Sequence, residues 1–216
     1  MGIYVTKSKW QKGLGGMVAW CVRNRLPPDV LTYGALVLSL VAAVALASSG
    51  MNRAWLWLVP PCASLRLVCN LLDGQVARAR GLANTWGEVK NEFGDRLADA
   101  AIFLGFCFGD YVDVRLAALL VALVLCVSYL GILGKAIGGT HIYGGWFGKA
   151  ERMVSLALFT LLPLSGQALT LYNGYLALAI IAAFITLIQR LSVISSAARN
   201  LDASGDFSSP LRGSSK

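Results

Sequence analysis

The chain has 216 residues, of which 56% are hydrophobic and 14% are charged, with a formal net charge of +8. Ordinary soluble domains contain about a quarter charged residues, so this composition excludes a typical soluble protein and indicates an integral membrane protein. In so apolar a chain, the basic residues are expected in cytoplasmic loops facing anionic lipid headgroups, which argues against a nucleic-acid partner. The five cysteines contain no CxxC pair, so they indicate neither a disulfide framework nor a zinc site.

The chain begins with an amphipathic segment and then alternates apolar stretches with short polar ones. Residues 4–25 mix apolar side chains with Lys and Arg, which is typical of a helix lying along the membrane interface. Six later stretches approach the ~20 apolar residues that span a bilayer. They are approximately 30–50, 54–74, 92–109, 114–134, 152–168 and 171–194. The sequence therefore predicts an all-α integral membrane protein, with a six-span domain over residues 1–200 and a flexible cytoplasmic tail over 201–216.

The second predicted span contains two consecutive prolines, Pro60 and Pro61. Each proline removes a backbone donor from a helix interior. A kink is therefore expected in this span.

The distribution of Lys and Arg predicts the orientation of the spans. With a cytoplasmic N-terminus, fifteen of the 19 basic residues fall in inner segments, and only Arg53 and Arg115 fall in outer loops. Short cytoplasmic loops retain basic residues, so both termini are expected in the cytoplasm. Arg66 and Arg96 lie within or close to spans, where an ionisable side chain is costly unless it is paired or faces a polar cavity. Both arginines therefore need partners.

Acidic and amide side chains collect where the second and third spans meet. On the second span, Asn70, Asp73 and Ala77 are spaced to share one helix face. The third begins with a stripe spaced four apart, Gly87, Asn91, Asp95 and Asp99, with Glu88 and Glu92 beside it. Acids this close to the hydrocarbon must be satisfied, and Arg96 could pair with one of them. Oxygen ligands on two facing helices also suit a hard divalent cation.

The spacing of this cluster resembles the signature of the CDP-alcohol phosphotransferases, DxxDGxxARx(8)GxxxDxxxD. This sequence reads Asn70-x-x-Asp73-Gly74-x-x-Ala77-Arg78, then eight residues, then Gly87-x-x-x-Asn91-x-x-x-Asp95. The resemblance implies a six-helix membrane fold with an interfacial N-terminal helix. It also implies transfer of a phosphoalcohol group, here most simply phosphatidyl, from a CDP-linked lipid to an alcohol acceptor, with release of CMP in phospholipid biosynthesis.

The resemblance implies a role for each matching residue. Asp73 corresponds to a metal-binding aspartate, and Asp95 to a metal-binding acid that acts as general base on the acceptor hydroxyl. The positions that contact the CDP moiety correspond to Asp73, Gly74, Ala77, Arg78 and Gly87. The implied cofactor is Mg²⁺ or Mn²⁺, the implied donor is CDP-diacylglycerol or a similar CDP-lipid, and the implied assembly is a homodimer. Similarity to a bacterial inner-membrane subgroup implies an inner membrane, and the orientation predicted from Lys and Arg puts the site at its cytoplasmic face.

Asparagine replaces aspartate at two metal-ligand positions, Asn70 and Asn91. An amide oxygen can coordinate a hard cation, but two negative charges are missing, so we expect weaker metal binding and one ion in place of two. Glu92 or Asp99 could supply a replacement carboxylate. The same departure leaves an alternative function open, a non-catalytic CDP-lipid-binding or scaffold protein on the same fold.

The loop before the fifth span is the candidate site for the acceptor. Lys149 and Arg152 are three residues apart and therefore neighbours on a helix. Together with Lys135 they could bind the phosphate of a phosphorylated alcohol, as a weaker similarity to phosphatidylinositol-phosphate synthases suggests. Anchoring of a cytoplasmic loop explains the same charges equally well. His141 is a weaker substrate-contact candidate, because a single loop histidine is more often an ordinary surface residue.

Overall fold

The computed structural model describes residues 13–136 and 144–204. In this part of the chain there are helices and turns but no β-strand, which confirms the all-α fold class. A short helix, α1 (Gly15–Arg23), precedes six long ones. They are α2 (Pro28–Ser48), α3 (Val59–Ala79), α4 (Thr85–Cys107), α5 (Val114–Ala136), α6 (Lys149–Leu164) and α7 (Leu171–Ser204). A 3₁₀ helix, Arg53–Leu58, leads directly into α3.

Within residues 13–136 and 144–204, four segments are long and apolar enough to cross a membrane, which supports a multi-pass membrane protein. They are Pro28–Ser48, Arg53–Ala79, Val114–Ala136 and Leu171–Leu201. The other two long helices differ for physical reasons: α4 carries the charges of the predicted site, and α6 has only 16 residues. At 1.5 Å per residue α6 is about 24 Å long, less than the ~30 Å of a bilayer's hydrocarbon core. The count of six spans therefore stays a prediction.

The predicted placement of Pro60 and Pro61 in a helix interior is wrong. Helix α3 begins at Val59, so both prolines lie in its first turn. The N–H groups of a first turn have no partner within the helix, so proline removes no hydrogen bond there. The predicted start of the span agrees with the candidate span Arg53–Ala79, but its first six residues form the apolar 3₁₀ helix and not the start of α3.

Helix α2 holds together the two helices that carry the predicted site. It packs extensively along both α3 and α4, whereas α3 and α4 make little direct backbone contact with each other. The approach of α2 to α4 is close: a Cβ atom on Gly105 would lie 2.5 Å from the carbonyl oxygen of Ala43. Only glycine permits this approach. Helix α6 packs against α3, and α5 packs against α4 and α7. Ion pairs join α6 to α4, so α3, α4 and α6 surround one region.

The main hydrophobic core fixes these helices at the end away from the predicted site. Its aromatic centre joins α4 to α7, with the rings of Phe106 and Tyr172 4.9 Å apart. The hydroxyl of Tyr172 donates a hydrogen bond of 2.9 Å to Thr160 on α6, so this buried polar group is satisfied. The core therefore ties together three helices whose other ends carry or flank the site.

A second, smaller core lies beneath α1 and includes Cys21, Leu31, Leu72 and Val76. The guanidinium of Arg80 donates to the carbonyl oxygens at the turn between α1 and α2, those of Arg25 and Leu26, at 2.9 and 2.7 Å. Helix α1 falls within the predicted interfacial segment, while residues 4–12 lie outside the described residues. At the other end, α7 continues to Ser204, four residues into the predicted tail, and 205–216 again lie outside the described part.

Candidate active site

Asp73 lies on the inner face of α3, with 4% of its surface exposed. One carboxylate oxygen accepts a hydrogen bond from the backbone N–H of Gly74, and the other accepts one from Thr32 of α2 at 3.4 Å. Thr32 was not among the predicted site residues. Its signal in the sequence is weak, because a single threonine near the start of an apolar span has no distinctive spacing.

Asp95 lies on α4, and 7% of its surface is exposed. Its Oδ2 atom accepts a hydrogen bond from the ammonium group of Lys149, the first residue of α6. Asp73 lies within electrostatic range of both Asp95 and Lys149. The structure thus brings together two of the predicted acids and one of the predicted acceptor-binding lysines.

The two asparagines of the signature carry polar atoms without partners. The side-chain Oδ1 and Nδ2 atoms of Asn70 and the Oδ1 atom of Asn91 are buried and form no hydrogen bond with any described residue. An unsatisfied buried polar group costs about 1–3 kcal/mol, so a ligand that engaged it would recover that free energy. We call Asn70, Asp73, Asn91 and Asp95 the ligand cluster.

The ligand cluster fits a hard divalent cation, although not through carboxylates alone. Among the described residues, no group of three or more His, Cys, Asp and Glu side chains could hold a metal ion. Here the donor set would combine the carboxylates of Asp73 and Asp95 with the unsatisfied amide oxygens of Asn70 and Asn91. Carboxylate and amide oxygens are both ordinary ligands of Mg²⁺ and Ca²⁺, so the residues present fit such an ion.

Asp99 and two arginines form a buried ionic group that we call the arginine clamp: Arg66, Asp99 and Arg152. The Oδ1 atom of Asp99 accepts a hydrogen bond of 2.5 Å from Arg66 of α3, and its Oδ2 atom accepts one of 2.6 Å from Arg152 of α6. Both acid and bases are at most 2% exposed. Arg66 therefore has the partner that its position required. Because both oxygens of Asp99 are engaged by arginines, this arrangement favours a structural role for Asp99 over metal ligation.

The contact between Arg66 and Asp99 sets the level of the two helices relative to each other. A short turn joins α3 to α4, so the helices run in opposite directions away from it. Asn70 is four residues from Arg66, and Asp95 is four residues from Asp99, in both cases toward the turn. Asn70 and Asp95 therefore lie at a similar depth. With a rise of 1.5 Å per residue, the ligand cluster begins about 6 Å from the arginine clamp, on the side of the turn.

The other predicted ionic residues also have partners. Arg96 bonds to Glu92 one turn earlier on α4, which confirms that Arg96 pairs with a neighbouring acid. Lys135 bonds to Glu88. The three bases proposed for an acceptor phosphate, Lys135, Lys149 and Arg152, are thus each bound to an acid of α4. His141 lies outside the described residues.

The predicted CDP-contact positions line the turn end of the two helices. Arg78 is exposed, and its guanidinium lies over Gly74: a Cβ atom added to that glycine would come 3.3 Å from Nη1. The backbone N–H of Gly87 donates a hydrogen bond of 2.8 Å to the side chain of Asn84, which caps α4. Ala77 is half-buried on the same helix as Arg78. Small residues and one exposed arginine therefore lie next to the ligand cluster.

Comparison with known sequences identifies relatives over most of the chain. The model of the CDP-alcohol phosphatidyltransferase family matches residues 25–194. Inner membrane protein YnbA of Escherichia coli (strain K12) is 29% identical over 161 residues, which cover 74% of this chain and 80% of that protein. The phosphatidylinositol phosphate synthase of Mycolicibacterium smegmatis is 28% identical over 182 residues, 80% of this chain and 79% of that enzyme.

Solved structures support the same fold. The phosphatidylinositol phosphate synthase of Mycobacterium tuberculosis with CDP-DAG bound superposes with a TM-score of 0.67 at 23% identity, over 83% of this chain and 92% of that chain. The same enzyme in complex with manganese and citrate gives a TM-score of 0.67 at 22% identity, over 83% and 87%. At these identities the likeness shows a shared helical architecture.

Proposed function

Because the chain belongs to the CDP-alcohol phosphatidyltransferase family, we propose that it transfers a phosphatidyl group from a CDP-linked lipid to an alcohol acceptor and releases CMP. The observation that carries this proposal is the ligand cluster. Its two asparagines keep buried polar atoms without partners beside two carboxylates, at the spacing of the family signature. Unsatisfied amide oxygens beside two carboxylates are ligands that a divalent cation can engage.

CDP-diacylglycerol is the donor that we favour. The structural neighbour from M. tuberculosis holds CDP-DAG. In this chain, Gly74, Ala77 and Gly87 would leave room for the nucleotide, and the exposed guanidinium of Arg78 would bind its pyrophosphate through charge-assisted hydrogen bonds. The adjoining apolar helices would keep the acyl chains in the bilayer.

A divalent cation, Mg²⁺ or Mn²⁺, is the proposed cofactor, in keeping with the manganese complex of the same neighbour. Asn70, Asp73, Asn91 and Asp95 would hold it. When bound, the ion would neutralise pyrophosphate charge and stabilise the charge that develops on the departing CMP.

Asp95 is the proposed general base. Lys149 engages its Oδ2 atom, so we assign Oδ1 as the atom that takes the proton of the acceptor hydroxyl. Most of the remaining rate enhancement would come from positioning, because phosphoryl-type transfer depends largely on alignment and charge stabilisation. The contacts of Lys149 with Asp95 and of Arg152 with Asp99 would fix α4 relative to α6 for this purpose.

A phosphorylated alcohol is the proposed acceptor. Several relatives are phosphatidylinositol phosphate synthases, so inositol phosphate is the first candidate, ahead of glycerol 3-phosphate and serine. Lys135, Lys149 and Arg152 pair with acids at successive positions along α4, and an acceptor phosphate would have to compete with those acids. We further propose six spans, both termini and the site at the cytoplasmic face of an inner membrane, and a homodimer.

Loss of two ligand carboxylates favours one alternative, a non-catalytic CDP-lipid-binding or scaffold protein. An acceptor screen separates the two functions. Purified protein is incubated with CDP-diacylglycerol, Mn²⁺ and each candidate alcohol, and CMP release is measured. The enzyme should release CMP with one acceptor and not without it. Binding of CDP-diacylglycerol without CMP release for any acceptor would favour the scaffold.

A further inference from the structure

Lys149 occupies an unexpected position for a lysine. It is the first residue of α6, where the partial positive charge of the helix N-terminus disfavours a cation. Its side chain is 16% exposed, so solvent does little to offset that repulsion. The contact that holds the ammonium group there is the one with Asp95 in the ligand cluster.

We propose that the ligand cluster binds a single divalent cation and that the ammonium group of Lys149 supplies the site's second positive charge. The inference rests on the proposed function, and it assigns Lys149 to the metal and CDP site instead of to the acceptor phosphate. Lys149 thereby takes the place of an ion that two additional carboxylates would otherwise have held.

The charges of the described residues support one ion. The ligand cluster contains two carboxylates, Asp73 and Asp95, and two neutral amides, and Lys149 reduces its net charge to −1. One divalent ion makes the site +1, which matches an anionic pyrophosphate, whereas two ions make it +3. The neighbouring arginine clamp has two cations for one acid, so it adds further positive charge beside the site. Like charges in a weakly solvated region repel strongly, so the second ion is disfavoured.

The two amide side chains also support a single bound ion. Asn70 and Asn91 offer buried, unsatisfied oxygens, so each can add a neutral ligand to one ion together with Asp73. Neither can offset the charge of a second ion. Lys149 already provides a cation at Asp95, the acid that lies farthest from the turn within the cluster.

The test is a Mn²⁺ titration of the full-length protein in micelles containing CDP-diacylglycerol, with the signal of free Mn²⁺ followed by electron paramagnetic resonance. The wild type should saturate at one ion per chain. Lys149→Met should still bind one ion, with affinity raised at least ~10-fold because a nearby positive charge is gone. The triple variant N70D/N91D/K149M, with four carboxylates and no lysine, should bind two.

Lys90→Met is the matched control, because Lys90 forms a similar pair with Asp29 at the same end of the molecule, 2.5 Å long, outside the ligand cluster. It should leave stoichiometry and affinity unchanged. If Lys149→Met does not fold, Lys149→Gln is measured in its place, with the same expected gain in Mn²⁺ affinity.

The inference would be overturned by two ions in the wild type, by no binding at all, or by equal Mn²⁺ affinities of the wild type and the Lys149 variant. CMP release is measured separately, so two bound ions with full CMP release would reject this inference alone, and one bound ion without CMP release would reject only the transfer reaction.

Discussion

The arginine clamp and the ligand cluster lie about one helical turn apart on α3 and α4, yet their polar side chains differ in the hydrogen bonds that they form. In the clamp, each oxygen of Asp99 accepts a hydrogen bond from an arginine on another helix. In the ligand cluster, the amide groups of Asn70 and Asn91 leave buried atoms without partners. The Nε atoms of Arg66 and Arg152 also lack a partner, but each guanidinium is bound to Asp99 through another nitrogen, whereas the amide oxygens of Asn70 and Asn91 accept no hydrogen bond from the described residues. This difference supports a structural role for the clamp and the proposed ligand-binding role of the ligand cluster.

The largest effect should follow from breaking the clamp. Asp99→Asn leaves two buried arginines without a counter-charge, and loss of one partner from a buried ionic group typically costs about 3–5 kcal/mol. Thermal unfolding in detergent should show a correspondingly large fall in Tm. Asp113→Asn is the control, since Asp113 accepts from the backbone of Arg115 at an exposed position and an asparagine oxygen can do the same. Equal Tm values for the two variants would contradict a structural role for the clamp.

Asp95→Asn should act on turnover more than on the fold. The amide cannot take the acceptor's proton, so CMP release should fall at least ~100-fold. CDP-lipid binding should be largely retained, and Tm should fall much less than for Asp99→Asn, because the pair with Lys149 is only one link between α4 and α6. The readout is CMP release beside binding of CDP-diacylglycerol. Retained turnover would remove Asp95 as the base.

Asn70→Leu should weaken metal binding without destabilising the fold. It removes buried polar atoms that have no partner, so the free energy of unfolding should stay unchanged or rise by about 1–3 kcal/mol. Mn²⁺ affinity should fall, because the cation loses an oxygen ligand. Unfolding and Mn²⁺ titration of the same preparation test both halves. A large loss of stability would show that Asn70 belongs with the clamp and not with the ligand cluster.

The smallest effect is expected at the exposed edge of the site. Lys135 and Glu88 pair with about half of each side chain exposed. Surface ion pairs contribute at most ~1 kcal/mol, so Lys135→Met should change Tm only slightly. Activity could still fall if Lys135 binds the acceptor phosphate, and in that case KM for the acceptor should rise while kcat changes little. A Tm loss as large as that of Asp99→Asn would contradict the division between edge and clamp.

The sequence predicted which residues share a helix face, because those positions depend on local geometry. The spacings of Asn70 and Asp73 on α3, and of Asn91 and Asp95 on α4, follow from the helical repeat alone. The rule that an arginine within a span needs a partner correctly indicated one for Arg66. Long apolar stretches likewise predicted helices where the structure has them, with ends displaced by several residues.

The remaining contacts could not be predicted because they join residues far apart in the chain. Asp99 looked like a spare metal ligand, since nothing in the sequence places Arg152, 53 residues later, against it. Lys149 looked like an acceptor contact for the same reason, and its partner, Asp95, is set by the packing of α6 near α4. Pro60 and Pro61 were assigned to a helix interior because hydropathy does not distinguish a 3₁₀ helix from the α-helix that follows it.

CMP release from CDP-diacylglycerol with and without a metal chelator shows whether a metal ion at the ligand cluster assists the transfer. Purified wild type is given Mn²⁺ and the acceptor chosen by the screen, then EDTA, then excess Mn²⁺, with Asp95→Asn treated in parallel. CMP release by the wild type should stop with EDTA and return with Mn²⁺, and release by the variant should stay near background. Release that continues in EDTA, or equal release by the variant, would contradict a metal-assisted transfer at the ligand cluster.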